Sequence, residues 1–215
     1  SSRISRMFTI FMAVRLVSVL AWTLAVLFLY LLAREIFDQK VAWVAALVLA
    51  ALPLHVHFSR IGVYNINDSL FSALLIWLLF RGARRNSAAS YLLAGLVAGL
   101  CFYTYVGTRL TPFLGLGTLG YIAIRTRGFL RAQLRNFIVL GLAFVITAGP
   151  ILGFYAAHPE HFLTRLNTES ILSNGALQNE MESTGTSAAV ILTRQFLKSS
   201  LAYIATPAPS GFFES

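Results

Sequence analysis

The chain has 215 residues, of which 57% are hydrophobic and 12% charged, with a mean hydropathy of +0.73. Soluble domains average about 25% charged residues, so a water-exposed globule is excluded as the main reading. Seventeen Lys and Arg against eight Asp and Glu give a net charge of +9. The basic residues stand between apolar runs without the aromatic interleaving of a nucleic-acid face, so no nucleic-acid partner is expected.

Six apolar runs follow in order, each near the roughly 20 residues that a bilayer needs. They cover Phe11–Ala33, Val41–Phe58, Ser69–Phe80 (extending back through Asn65), Tyr91–Val106, Leu110–Ile124 and Phe137–Ala157. The predicted fold class is therefore all-α, a polytopic membrane helix bundle over residues 1–157. Gaps after the odd-numbered runs hold Arg34 and Lys40, then Arg81, Arg84 and Arg85, then Arg125, Arg127, Arg131 and Arg135. Gaps after the even-numbered runs hold Arg60 and Arg109, and Arg165 follows the last run. Positive loops stay on the cytoplasmic side, so this alternation assigns the poorer set to the outer face. The expected location is a membrane, with the loops rich in arginine on its cytoplasmic side.

Pro53, Pro112 and Pro150 fall near the outer ends of three runs, where a missing backbone donor kinks a helix. Gly95/Gly99 and Gly149/Gly153 form two GxxxG pairs, each predicting close approach of a neighbouring helix within the bundle. Cys101 is the sole cysteine and sits in an apolar run, so no intrachain disulfide can form. Residues 158–215 form a second, outer-face region. Its first part is polar and contains STGTS, which reads as a loop, and His158-Pro159 suits a helix start. From Ala188 to Ala205 apolar Val190, Ile191, Phe196, Leu197 and Leu201 oppose Arg194, Gln195 and Lys198, an amphipathic helix suited to a membrane interface. The chain opens on Ser1 without a signal-peptide pattern and reads as a piece of a longer protein.

Chemistry-bearing residues concentrate in LHVHFSRIGVYNINDSLF, residues 54–71. Asp68 is the single carboxylate in the outer loops between the first and last runs. Asn67 or Asp68 also suits a helix N-cap, worth about 1 kcal/mol. Arg60 fits a clamp on a substrate phosphate or a snorkelling contact to lipid phosphates. His55 and His57 are two apart and face different sides of a helix, which disfavours a joint metal site. Tyr103, Tyr105, Thr108 and Arg109 form a second polar mouth, and His158, His161 and Arg165 a third. Three outer mouths with arginine suit an anionic head group arriving from the lipid. Neither HExxH nor a Walker sequence nor GxSxG occurs, so soluble-type hydrolase and nucleotide chemistry lack support.

The stretch VAWVAALVLAALPLHVHFSRIGVYNINDSLFSALLIWLLFRGARR resembles the C-type (GT-C) membrane glycosyltransferases, in the bacterial branch related to dolichyl-phosphate-mannose–protein mannosyltransferases. YLLAGLVAGLCFYTYVGTRLTPFLGL and ILGFYAAHPEHFLTRLNTESIL continue the likeness to about residue 172, with FSRIG and the following Asn and Asp as its more specific part. The resemblance implies transfer of a sugar from a polyprenyl-phosphate carrier at the outer face of the membrane, with membrane lipid as a further partner. It places the principal catalytic aspartate in a first outer loop that has no matching position in this sequence. It places Asp68 as a second acidic residue beside the site, and leaves a divalent metal ion open as a cofactor. His57, Arg60, Asn65, Tyr105, Arg109, His158, His161 and Arg165 then become the substrate-binding set. The competing reading is a transporter or flippase for a lipid-linked or small anion, which the scarcity of ionisable residues deep in the runs counts against.

Overall fold

The computed structural model describes residues 2–52, 66–158 and 176–201. Among these residues every regular element is helical, and the chain forms two compact units, Ser1–Ala156 and Ala157–Ser215. In the first unit, α1 (Ser2–Ile36) leads into α2 (Gln39–Ala51) through a tight turn. Asp38 closes that turn as an N-cap, its Oδ1 accepting from the Val41 amide at 2.8 Å. That satisfies one of the donors a helix start leaves unpaired. Tyr30 then meets Trp43 across the hairpin in a tilted ring contact, centroids 5.0 Å apart.

Helix α3 (Ile66–Arg85) is longer than the apolar run that announced it, because polar residues extend it at both ends. Its length, roughly 30 Å at 1.5 Å per residue, matches a hydrocarbon core. It runs parallel to α1. Phe28 meets Trp77 at 5.6 Å, and seven residues on in both helices Glu35 meets Arg84 at 3.8 Å. Asn86, with φ at +49°, reverses the chain, and Ser87 caps α4 (Ala88–Leu100) by accepting from the Ser90 amide at 3.3 Å. Asparagine tolerates this left-handed conformation better than most residues. The antiparallel hairpin packs tightly there: a Cβ on Gly82 would stand 3.0 Å from the Tyr91 ring.

The fourth apolar run does not continue to Val106 as a helix. It ends at Leu100, tightens into a 3₁₀ turn over Cys101–Tyr103, breaks at Thr104 and re-forms as a second 3₁₀ turn over Gly107–Leu110. The Thr104 hydroxyl donates to the Cys101 carbonyl at 3.2 Å, offering the backbone a local alternative to the helix ladder. Helix α5 (Thr111–Arg125) follows, with Pro112 in its first turn, so that proline starts a helix instead of kinking one. Gly128, at φ +79°, turns the chain into the short α6 (Phe129–Ala132), and α7 (Leu134–Ala157) carries Pro150 within it.

The core is the seam between α3 and α4: Leu75, Leu78, Leu79, Tyr91, Ala94, Val97 and Ala98, with Phe137 and Phe144 of α7 against it. Gly95 and Gly99 serve close approach as expected. A Cβ on Gly95 would stand 2.8 Å from the Ala143 Cβ, and one on Gly99 would stand 2.9 Å from Thr147 Cγ2. The second pair behaves differently. Gly149 and Gly153 meet nothing within 4 Å among the described residues. At 100° per residue they fall about a third of a turn from the Ala143–Thr147 face that meets α4.

Large apolar side chains line the exterior: Leu16, Leu47, Ile146 and Ile124 are all exposed, the last at 85%. Such a surface has no favourable place in water and is ordinary where hydrocarbon is the solvent. Arg15–Ile36 and Leu134–Ala157 are each long and apolar enough to cross a bilayer. In the second unit, α8 (Ala176–Thr184) has no counterpart in the sequence reading. The STGTS turn follows, with Gly185 at φ +65°, and then α9 (Ala188–Leu201), where Ile191 is buried while Val190, Phe196 and Leu197 are exposed. Pro53, the second run beyond Leu52 and the His158-Pro159 helix start lie outside the described residues in whole or part.

Candidate functional site

Register between α3 and α5 builds the site. The two helices run parallel, so residues that rise together meet in sequence: Asp68 with Thr108, Ser72 with Thr111, Leu75 and Leu79 with Gly115. Asp68, Ser72, Leu75 and Leu79 share one face because three- and four-residue steps stack on a helix. The inner part of that face is apolar contact; a Cβ on Gly115 would stand 3.0 Å from Leu75 Cδ2. Its terminal part is a hydrogen-bonded seam. Ser72 Oγ and Thr111 Oγ1 lie 3.0 Å apart, and the Thr108 hydroxyl donates to Asp68 Oδ1. Thr108 and Thr111 are almost wholly buried, and buried hydroxyls are expected to be paired in this way.

Asp68 stands in the first turn of α3, where the helix dipole favours a carboxylate. Neither Asn67 nor Asp68 is the helix cap, since both lie inside the helix. The side chain of Asp68 crosses to a second element, which a capping role would not require.

Gly107 explains how the carboxylate reaches that element. A Cβ at this position would stand 2.6 Å from Asp68 Oδ2 and 3.1 Å from Tyr105 Cε1. Only hydrogen fits between the carboxylate and the tyrosine ring. Tyr105 and Asp68 therefore flank one glycine. On the next residue after Thr108, Arg109 donates from Nη2 to Tyr155 Oη at 2.8 Å, with its guanidinium carbon 5.0 Å from the same ring's centroid. This edge-and-face grip, from near the end of α7, holds the guanidinium in a fixed direction. Cys101 is fully buried and donates through Sγ to the Val97 carbonyl at 3.2 Å.

Of the residues singled out in the sequence, the structure brings Asp68, Tyr105 and Arg109 to one end of the first unit, within a single pair of turns. His158 is exposed at the start of the second unit. His57, Arg60, Asn65, His161 and Arg165 lie outside the described residues. Sequence reasoning placed Thr108 in a polar mouth without giving it a partner, and it missed Gly107, Ser72, Thr111 and Tyr155. Ser72 stands four residues after Asp68, a spacing that could have marked it; Tyr155, at the end of an apolar run, carried no comparable sign.

A carboxylate held by a neutral hydroxyl donor, one residue from a clamped guanidinium, can accept a proton or orient a hydroxyl while the cation meets an anion. Hard divalent cations take six or more oxygen ligands. Among the described residues no three His, Cys, Asp or Glu side chains come together to hold one.

A sequence model of the family described as dolichyl-phosphate-mannose-protein mannosyltransferase matches residues 6–152, more than half of the chain. No curated protein and no solved structure matches.

Proposed function

We propose that this chain, which belongs to the dolichyl-phosphate-mannose-protein mannosyltransferase family, forms part of the site at which a sugar leaves a polyprenyl-phosphate carrier for an acceptor at the outer face of a bacterial cytoplasmic membrane. The family makes the protein a membrane glycosyltransferase of mannosyltransferase-like type. The observation that carries the finer reading is the junction of α3 with the 3₁₀ turn: Asp68 and Tyr105 against Gly107, Thr108 on the carboxylate, and Arg109 beside it.

In the reaction a bond forms between the sugar's anomeric carbon and the acceptor oxygen, and the bond from that carbon to the carrier phosphate breaks. The acceptor proton passes to a carboxylate and the electron pair stays on the leaving phosphate. Arg109, aligned by Tyr155, meets the growing negative charge on that phosphate. Its bidentate fork suits a phosphate better than a lysine would. Asp68 orients the acceptor or the sugar hydroxyls in a supporting role, with Tyr105 as the wall beside it. His57, Arg60 and Asn65, which precede Asp68 in the same segment, are the further substrate contacts in this proposal.

Asp68→Asn in the full-length protein should lower sugar transfer about 10²-fold or more, the range for a positioned acid–base group, at unchanged membrane expression. Transfer at the parent rate by that variant would remove Asp68 from the site. The arrangement also requires Asp68 and Arg109 to face the outer compartment while Arg84 faces the cytoplasm. Cysteines introduced at positions 68 and 84, after Cys101→Ala, should label from opposite sides of sealed vesicles. Labelling from a common side would overturn the assignment.

A further inference from the structure

At the opposite end of the same two helices lies a cleft that sugar transfer does not use. It has a volume of about 490 Å³ and is lined by Arg84 from α3, Tyr121 and Arg125 from α5, Arg127 from the following turn, and Phe129 and Gln133 around α6. We propose that this cleft binds the headgroup of an anionic glycerophospholipid of the cytoplasmic leaflet.

Charge supplies the first argument. Arg84 is engaged by Glu35, through that residue's carbonyl and its carboxylate at 3.8 Å. Arg125 lies 5.7 Å from the Tyr121 ring centroid, and no hydrogen bond or carboxylate holds Arg127 among the described residues. Two guanidiniums at the rim therefore keep their charge for an outside anion. The second argument is shape. Phe129 is buried as the floor, while the backbone turns at Gly128 to open the space.

The third argument selects the lipid over a free phosphate. Tyr121, itself part of the lining, is 54% exposed, and Ile124, Leu130 and Leu134, each next in sequence to a lining residue, are 58–85% exposed. A ligand resting here meets cations at its head and hydrocarbon-seeking surface along its tail. The fourth concerns Gln133, which is buried and donates from Nε2 to the Ala83 carbonyl at 2.8 Å. Its Oε1 has no hydrogen-bond partner among the described residues. The Nε2 bond ties this wall of the cleft to the end of α3 and so fixes its shape. Basic pockets between helices at the cytoplasmic surface bind acidic headgroups for these reasons.

The test uses the full-length protein in mixed micelles or nanodiscs of phosphatidylglycerol in phosphatidylcholine, with native mass spectrometry reading the lipid that stays bound. One phosphatidylglycerol should be retained in preference to phosphatidylcholine. Arg125→Gln with Arg127→Gln should weaken it about thirtyfold, which is about 2 kcal/mol. Arg131→Gln with Arg135→Gln, exposed arginines of the same segment outside the lining, should leave retention unchanged. Equal loss in both double variants would mean diffuse surface charge and overturn the cleft. Displacement of the lipid by millimolar inorganic phosphate would show a phosphate site and overturn the lipid assignment. Sugar transfer and melting temperature, measured on the same samples, should match the parent protein, so a folding defect is visible as such.

Discussion

At one end of the α3–α5 pair, polar side chains satisfy one another; at the other, guanidiniums look outward. Asp68, Thr108, Ser72 and Thr111 form a hydrogen-bonded seam with a glycine cut to fit, and Arg109 is held by the hydroxyl and the ring of Tyr155. Arg84, Arg125 and Arg127 line an open cleft, where among the described residues one carboxylate, Glu35, pairs with Arg84. The same two helices thus make a fixed geometry and a loose one. Chemistry on a bond needs reacting groups held to a fraction of an ångström, which hydrogen-bonded seams provide. Holding a membrane by its headgroups needs charge and access more than register.

The sharpest way to break this contrast is Gly107→Ala. The added Cβ would press on Asp68 Oδ2 at 2.6 Å, so the carboxylate or the turn must shift by several tenths of an ångström. Transfer should fall about 10²-fold, the scale of a small misplacement at a reacting centre, with folding retained. Steady-state kinetics beside a thermal melt separates the two effects. A substitution that leaves kcat/KM untouched would show that the seam tolerates movement.

Helix contacts give the next effect. Gly95→Leu drives a side chain into Ala143 and the α7 backbone and should destabilise by about 1–3 kcal/mol, the usual cost of overpacking. Gly149→Leu, with nothing within 4 Å among the described residues, should change the melting temperature little. Equal losses would mean that the second GxxxG pair also packs.

Thr108→Val removes the Thr108 donor from the half-buried Asp68 and should cost about 1 kcal/mol, the usual net worth of one hydrogen bond, while Thr108→Ser should recover most of it. Reading both by melting and by transfer rate tells whether the hydroxyl holds the fold or the chemistry. The smallest effect belongs to the open end. The Arg84 side chain is 58% exposed, and surface ion pairs are worth at most about 1 kcal/mol, so Arg84→Gln should move the melting temperature by no more than a few degrees.

Much of this architecture was legible in one dimension. Apolar runs follow from the solvent each residue meets, so the helical bundle could be read without a fold, and Asp68 could be singled out as a candidate by its charge alone. Helix ends were harder where local chemistry competed with hydropathy. The run from Tyr91 to Val106 stays apolar throughout, yet the Thr104 hydroxyl and the needs of Gly107 break the helix at Leu100. Likewise α8 carries too little apolar pattern to announce itself.

What the amino-acid sequence determined by itself is the membrane-helical class and the candidate groups, because hydropathy and charge are properties of residues taken singly or in short runs. Tertiary structure alone decided which groups meet. Asp68 and Thr108 are 40 positions apart, Arg109 and Tyr155 46, and their encounter depends on the parallel register of α3 and α5 and on where α7 ends. The packing of α7 on α4 decided that one GxxxG pair is buried while its twin meets nothing within 4 Å among the described residues, since a helix face is chosen by its neighbours and not by its spacing.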